Sequence, residues 1–234
     1  MKLGIMQPYF LPYVGYFHLI ASVDQFIMYD NIKYTKKGWI NRNRILMNDT
    51  ATLVSLPLKK GSDSLEIVER ELALDYDRSK LLNQIKGAYG RAAQFELTYP
   101  VLERIVQHDE RNLFRYIKYS VIQLCEYLGI STEIRNSSEI KVNHKLKGQD
   151  KVLAMCTAVG ANTYVNPIGG TGLYDKDDFR NQGIDLKFCQ TRHFEYAQLG
   201  GVFVPRLSII DMLMFNPMDT VRAHIHSGFD YLEL

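Results

Sequence analysis

Two short apolar runs open the chain, residues 3–6 and 25–29, with only a loop and one helix-patterned stretch, residues 13–21, between them. A strand, a helix and a second strand this close together make a crossover unit, in which the strands run parallel and the connection is right-handed. The chain is therefore committed to an α/β fold built on a parallel sheet. In such sheets ligands gather at the carboxyl ends of the strands, which points to residues 7–12 and to the segment from Asp30 onward.

The alternation breaks after residue 58. Residues 51–58 read as a strand rich in Thr, Val and Leu, but residues 78–89, 99–108 and 112–128 carry helical spacing, the last with Leu113, Tyr116, Ile117, Val121 and Leu124 on one face and Gly129 as its stop. Strand and helix patterns then alternate again over 132–135, 148–159, 163–166, 175–182 and 185–189, and two helices, 208–215 and 219–227, follow. The expectation is a single α/β domain over residues 1–234 with a mainly helical insertion at about 77–130. No repeat or low-complexity linker divides it.

Charge and cysteine content narrow the partners. The 28 Lys and Arg against 26 Asp and Glu leave a net charge of +2, too small for a dominant field toward duplex nucleic acid. No stretch approaches the ~20 apolar residues of a membrane span, and Gln7, Pro8 and Pro12 interrupt the leader-like N-terminal segment, so no membrane association is expected. Cys125, Cys156 and Cys189 are widely spaced, without a CxxC pairing, which fits a reduced, cytoplasmic setting. The six histidines are scattered, and no metal site is predicted. The 15 Tyr and 11 Phe beside a single Trp supply rings with polar tips, suited to lining a pocket for sugars or bases.

Three constellations carry candidate chemistry. In the first, Gln7, Pro8, Tyr9, Tyr13, Gly15 and Tyr16 lie on a Pro-rich loop running into a helix, where a helix N-terminus can face an anion and Gly15 permits close backbone approach. An aromatic core helix is the competing reading. In the second, Asp30, Tyr34, Lys36, Lys37, Trp39, Asn41 and Arg42 fall within the polar, basic run 30–44, which offers point charges, guanidinium forks and a stacking platform for a diphosphate and its sugar or base. A solvated basic loop is the bland alternative. In the third, Gly169 and Gly170 in Asn-Pro-Ile-Gly-Gly-Thr-Gly follow a strand and form either an anion nest or a turn. It is neither a phosphate-binding P-loop nor a dinucleotide fingerprint.

The spacing around Pro12, Tyr13, Gly15 and Tyr16 resembles the HxGH region of nucleotidyltransferases and pantoate-ligase-like enzymes, with Tyr13 and Tyr16 where two phosphate-contacting histidines would stand. That resemblance implies a nucleotidyltransferase-like (HUP-like) core. Over nearly the whole chain, the runs MQPYFLPYVGYFHLI, DQFIMYDNIKYTKKGWINRNRI, YVNPIGGTGLYD and VPRLSIIDMLMFN resemble the WbqC-like proteins. This resemblance implies a role in O-antigen and surface polysaccharide synthesis. It implies attachment of a glycine-like aminoacyl group to the amine of a nucleotide-linked 4-amino-4,6-dideoxy sugar. By motif position it adds Ser208 and Asp211 to the site.

For that reaction Asp30 is expected as base, Lys37 and Arg42 on the diphosphate, and Tyr13, Tyr16 and Trp39 for stacking. No cofactor is fixed. The acyl donor is left open between an adenylate made from ATP with Mg and an aminoacyl-tRNA, and a homodimer is open as well. The competing functions are a noncatalytic nucleotide-sugar binding protein and a nucleotidyltransferase or adenylate-forming ligase.

Overall fold

A computed structural model describes residues 1–233. Its six-stranded sheet comprises β1 (Lys2–Met6), β2 (Gln25–Met28), β5 (Glu133–Asn136), β6 (Thr163–Pro167), β7 (Asp185–Thr191) and β8 (Phe229–Leu232), in the order β5-β2-β1-β6-β7-β8. Every neighbouring pair is parallel except β7 with β8. Counted among themselves in chain order the strands lie 3-2-1-4-5-6, so the winding direction reverses between β1 and β6. That reversal opens a crevice at their carboxyl ends.

The strands are apolar on both faces because helices cover both. Leu3 and Ile5 enter one core with Val152 and Leu153 of α5 (Gly148–Val159) and Phe179 of α6 (Lys176–Asn181). The opposite face meets α1 (Val14–Ala21), whose residues Gly15 to Ile20 are all buried. Gly4 makes that contact close, since a Cβ there would stand 3.3 Å from Phe26 and 3.5 Å from Leu19.

Between β2 and β5 the chain builds an antiparallel hairpin, β3 (Arg42–Met47) with β4 (Thr50–Ser55), and three helices, α2 (Arg78–Tyr89), α3 (Phe95–Gln107) and α4 (Leu113–Leu128). Asp77 and Asn112 accept backbone N–H groups at the starts of α2 and α4, and Gly129 ends α4 at φ +75°, a conformation costly for any other residue. These helices share one apolar cluster with α1, α7 (Ile209–Phe215) and α8 (Met218–Ser227).

Two sequence expectations change here. The end of the basic run is strand, not loop, because Arg42 pairs with Ser55 and Arg44 with Leu53. The chain also closes on β8, too short to carry a legible period. Among the described residues no helix is long and apolar enough to cross a membrane.

Candidate functional site

At the carboxyl end of β1 the chain makes a fixed loop rather than a mobile one. Phe10 N–H donates to Ile40 O at 2.9 Å, and Asn43 Nδ2 donates to the carbonyls of Phe10 and Leu11 at 3.2 and 2.9 Å. Ser208 Oγ donates to Leu11 O at 2.7 Å and Ile209 N–H to Pro12 O at 2.8 Å. These bonds hold Leu11 at φ +44°, a left-handed conformation that costs a non-glycine residue about 1–2 kcal/mol and that collects at functional sites.

Tyr13, more than a third exposed, precedes α1 and folds back over its first turn, so that its hydroxyl and the Thr191 hydroxyl converge above Gly15. Burial raises the Tyr13 phenol above its ordinary pKa, while Thr191 and the positive charge of Arg206 oppose the rise. A Cβ on Gly15 would stand 2.2 Å from the Tyr13 oxygen and 2.6 Å from Thr191 Oγ1. The Tyr13 tip can swing away, but the Thr191 hydroxyl is held on β7 and against His18, so Gly15→Ala is expected to lower the melting temperature by the equivalent of about 1–3 kcal/mol while swinging Tyr13 outward. Any ligand held at this helix start then weakens several-fold, as a titration of the variant against wild type would read.

The other members of the first run divide. Tyr16 is only 3% exposed and donates to Gln7 O at 2.9 Å, so it buttresses the loop from the core and does not face a substrate. Pro8 is buried, and Gln7 and Tyr9 are half-buried, with the Tyr9 ring 5.6 Å from that of Tyr16. The expected stacking role of Tyr16 is thus corrected: an apolar ring at the third position of a fully buried helix packs inward.

In the second run, Asp30 is 2% exposed, and Oδ1 accepts from Ser137 Oγ at 2.7 Å and Ser138 N–H at 2.9 Å, with Ser138 Oγ on Oδ2. This geometry makes it a brace between β2 and β5, not a base open to a substrate amine. Tyr34 is buried and donates to Asn41 Oδ1 at 2.8 Å, while Asn41 Nδ2 donates to Leu56 O, so both tie the hairpin base. Arg42 Nε turns back to Gly38 O, and Lys36 pairs with Asp63 at 2.6 Å on the open surface. Lys37 and Trp39 are exposed, and the Trp39 ring lies under the Arg44 guanidinium, 5.3 Å away.

After β6, Gly169 is exposed in a tight 3-10 turn and Gly170 is buried, where a Cβ would overlap Asn166 Nδ2 at 2.1 Å. Ser208 caps α7, accepting from Ile210 N–H. Asp211 is wholly buried, with Tyr89 OH donating to Oδ1 at 3.1 Å, and Tyr196 OH and Gln198 Nε2 donating to Oδ2 at 2.8 and 2.6 Å. Burial raises its pKa and the three donors oppose the rise. Both residues anchor the loop and the irregular segment before α7; neither side chain reaches the crevice surface as a reacting group.

Four residues without an assigned role stand at the same edge. Arg44 lies over Trp39, Thr191 and Arg206 lie by Tyr13, and Arg44 Nη2 reaches the Arg206 carbonyl. Lys151, 4% exposed in the first turns of α5, donates to Asn31 O at 3.2 Å and Asn31 Oδ1 at 3.1 Å. Its ammonium lies over the Tyr29 ring, and burial lowers its pKa while the charges of Glu66 and Asp30 pull it back up. Only its helical register, among Val152, Leu153 and Met155, hinted at burial, and nothing local marked its neighbours.

The cysteines are buried, and desolvation raises the Cys125 and Cys156 thiols to about 12 and Cys189 to about 11, which leaves them inert as nucleophiles. Among the described residues no three His, Cys, Asp or Glu side chains group as a metal site requires.

No solved structure matches the chain. The uncharacterized protein Rv1507c of Mycobacterium tuberculosis is 33% identical over 218 residues, covering 91% of this chain and 92% of the relative. The family model described as the WbqC-like protein family matches residues 7–223, spanning the strained loop, the basic run, the Gly-rich turn and α7. The chain belongs to the WbqC-like protein family.

Proposed function

We propose that this protein binds a nucleotide-linked 4-amino-4,6-dideoxy sugar at the carboxyl edge of its sheet and attaches a glycine-like aminoacyl group to the sugar amine, in cytoplasmic synthesis of surface polysaccharide. The observation that carries the binding half is the reversal of sheet order between β1 and β6, with a strained, fixed loop and the exposed Tyr13 ring at that point. A nucleotidyltransferase-like core is our reading of this strand order, which doubly wound dinucleotide-binding folds share. The acyl half rests on the family resemblance.

In this reading the sugar amine attacks the acyl carbonyl, the new C–N bond forms, the donor's C–O bond breaks and the ammonium proton must leave. Lys151 is as enclosed as Asp30, its ammonium held on Asn31 O and Oδ1, so both brace the strand end and the proton is released to solvent.

The test is the melting temperature of the purified protein with a TDP-linked 4-amino sugar, UDP-sugars, ATP with Mg, glycine or total tRNA, followed by turnover with each donor. A ligand at 100 times its Kd adds about 2.7 kcal/mol, a shift of a few degrees in a chain of this size. A shift with the amino sugar and turnover with one donor supports the proposal. The same shift without turnover supports a noncatalytic binding protein, the reading favoured by the enclosed positions of Asp30 and Asp211. A shift with ATP and Mg alone supports a nucleotidyltransferase or adenylate-forming ligase. No shift with any nucleotide defeats all three.

A further inference from the structure

Two arginines, Arg44 and Arg206, stand at the mouth of the strained loop, joined by a side chain to backbone contact. Arg44 on β3 donates from Nη2 to Arg206 O at 3.2 Å and lies over the Trp39 ring. Arg206 follows Pro205 at φ +57°, a left-handed conformation in a residue that is not glycine, and its charge reaches the Tyr13 hydroxyl. The backbone holds this arrangement together, since Ser208 N–H donates to Arg44 O at 2.8 Å while Ser208 Oγ and Ile209 N–H hold the loop carbonyls.

Neither guanidinium has an acidic partner among the described residues, whereas Arg115, Arg180 and Arg192 are paired with Glu110, Asp177 and Asp230. Arg44 Nε is buried and donates to nothing. One arginine stands on left-handed backbone and the other keeps a buried donor unused, so both have capacity that an anion at this mouth would satisfy. Guanidinium forks match phosphate oxygens in pairs, and an exposed indole beside them offers a face to a base or sugar. By contrast Lys36 is spent on Asp63 and Arg42 on Gly38 O.

We propose that Arg44 and Arg206 form the clamp for a diphosphate, with Trp39 as the stacking platform for the group beside it; the identity of that group rests on the function proposed above, the clamp itself does not. This replaces Arg42, whose Nε is taken by Gly38 O, as a diphosphate contact and leaves Lys37, exposed on the same run, available beside the clamp.

Trp39 is the only tryptophan of the chain, so its emission reads the site directly. Titration with inorganic pyrophosphate, then with UDP and TDP, is expected to change that emission in wild type and in the remote control Arg180→Gln. In Arg44→Gln and in Arg206→Gln the Kd, checked by calorimetry, is expected to rise at least about tenfold, the weight of one charge-assisted contact. Arg44→Lys keeps the charge, loses the fork and should fall between, and Arg206, on the surface, gives an independent reading if Arg44 variants fold poorly. Absence of a pyrophosphate response, or the same Kd in both glutamine variants as in wild type, overturns the clamp.

The two proposals fail separately. If the TDP-linked amino sugar stabilises wild type and both glutamine variants alike, the clamp is wrong and the function stands. If pyrophosphate and plain nucleoside diphosphates bind through both arginines, but the amino sugar adds nothing and no donor gives turnover, the clamp stands and the function is wrong.

Discussion

Asp211→Ala is expected to lower stability by about 2–4 kcal/mol, because it strands three buried donors at once. Tyr89 OH, Tyr196 OH and Gln198 Nε2 converge on this carboxylate from α2 and from the segment before α7. Tyr89 also accepts from Leu46 N–H on β3 at 2.9 Å, and Gln198 Oε1 accepts from Val204 N–H at 2.8 Å, so the hairpin, a helix and the irregular segment all register on one side chain. Asp211→Asn should cost less, about 1–2 kcal/mol, since its oxygen can serve Tyr196 and Gln198 while its amide donates to Tyr89 and leaves only one hydroxyl proton unmatched.

Urea unfolding with an unchanged m-value would show the loss as a shift in midpoint. Equal midpoints for wild type and Asp211→Ala would remove the anchoring role. Because Gln198 and Tyr196 hold the segment that ends in Arg206, the alanine variant should also weaken pyrophosphate binding. A carboxylate acting directly on substrate would instead be lost without a fall in stability.

Acidification from pH 7 to pH 4 is expected to cost about 3 kcal/mol through one buried imidazole, His18. Its Nε2 faces the His224 carbonyl at 3.1 Å, which can only accept, so the neutral ring carries its proton there and Nδ1 accepts from the Thr191 hydroxyl at 3.1 Å. Burial, joined by the nearby His224, lowers its pKa to about 3, and only the bond to the His224 carbonyl opposes this. The unfolded chain takes up a proton near pH 6.5 while the folded chain does so near pH 3. Stability is therefore full above pH 6.5, falls as pH drops below it, and levels off once pH passes about 3.

His224, lowered by its own burial, adds to the same slope. Asp211 works the other way, since a carboxyl whose folded pKa is raised is protonated more readily in the native state. His18→Gln, whose amide can still donate to the carbonyl, should flatten the fall between pH 7 and pH 4 whatever its stability at neutral pH. An unchanged slope would assign the acid sensitivity elsewhere.

The parallel sheet and its covering helices were legible because they are written locally. Residues 3–6 and 25–29 are apolar on both faces, α4 shows its stripe at helical period, and Gly129 marks its end. The strand ends at which the site is proposed were legible for the same reason, since they precede the loops at Gln7 and Asp30.

The roles within the site were not. Residue type alone could not tell Tyr13 from Tyr16, which are three apart on neighbouring turns, yet α1 is sandwiched between the sheet and α8, so Tyr16 points into the core while Tyr13, ahead of the helix, stays at the surface. The basic run looked uniform, but pairing β3 with β4 turned Arg42 toward Gly38 and placed Arg44 against Trp39 and Arg206, 162 residues later.

Asp30 and Asp211 carried the chemistry of catalytic carboxylates in the sequence and lost it to partners 107 and 108 residues away in the first case and 13, 15 and 122 away in the second. Periodicity and turn chemistry act between near neighbours, so the chain by itself determined the α/β class, the helix ends and the strand ends at which the ligand site is proposed. Which polar side chains are consumed in holding that edge, and which are left free to bind, depends on contacts between distant segments and was decided only when the tertiary structure brought them together.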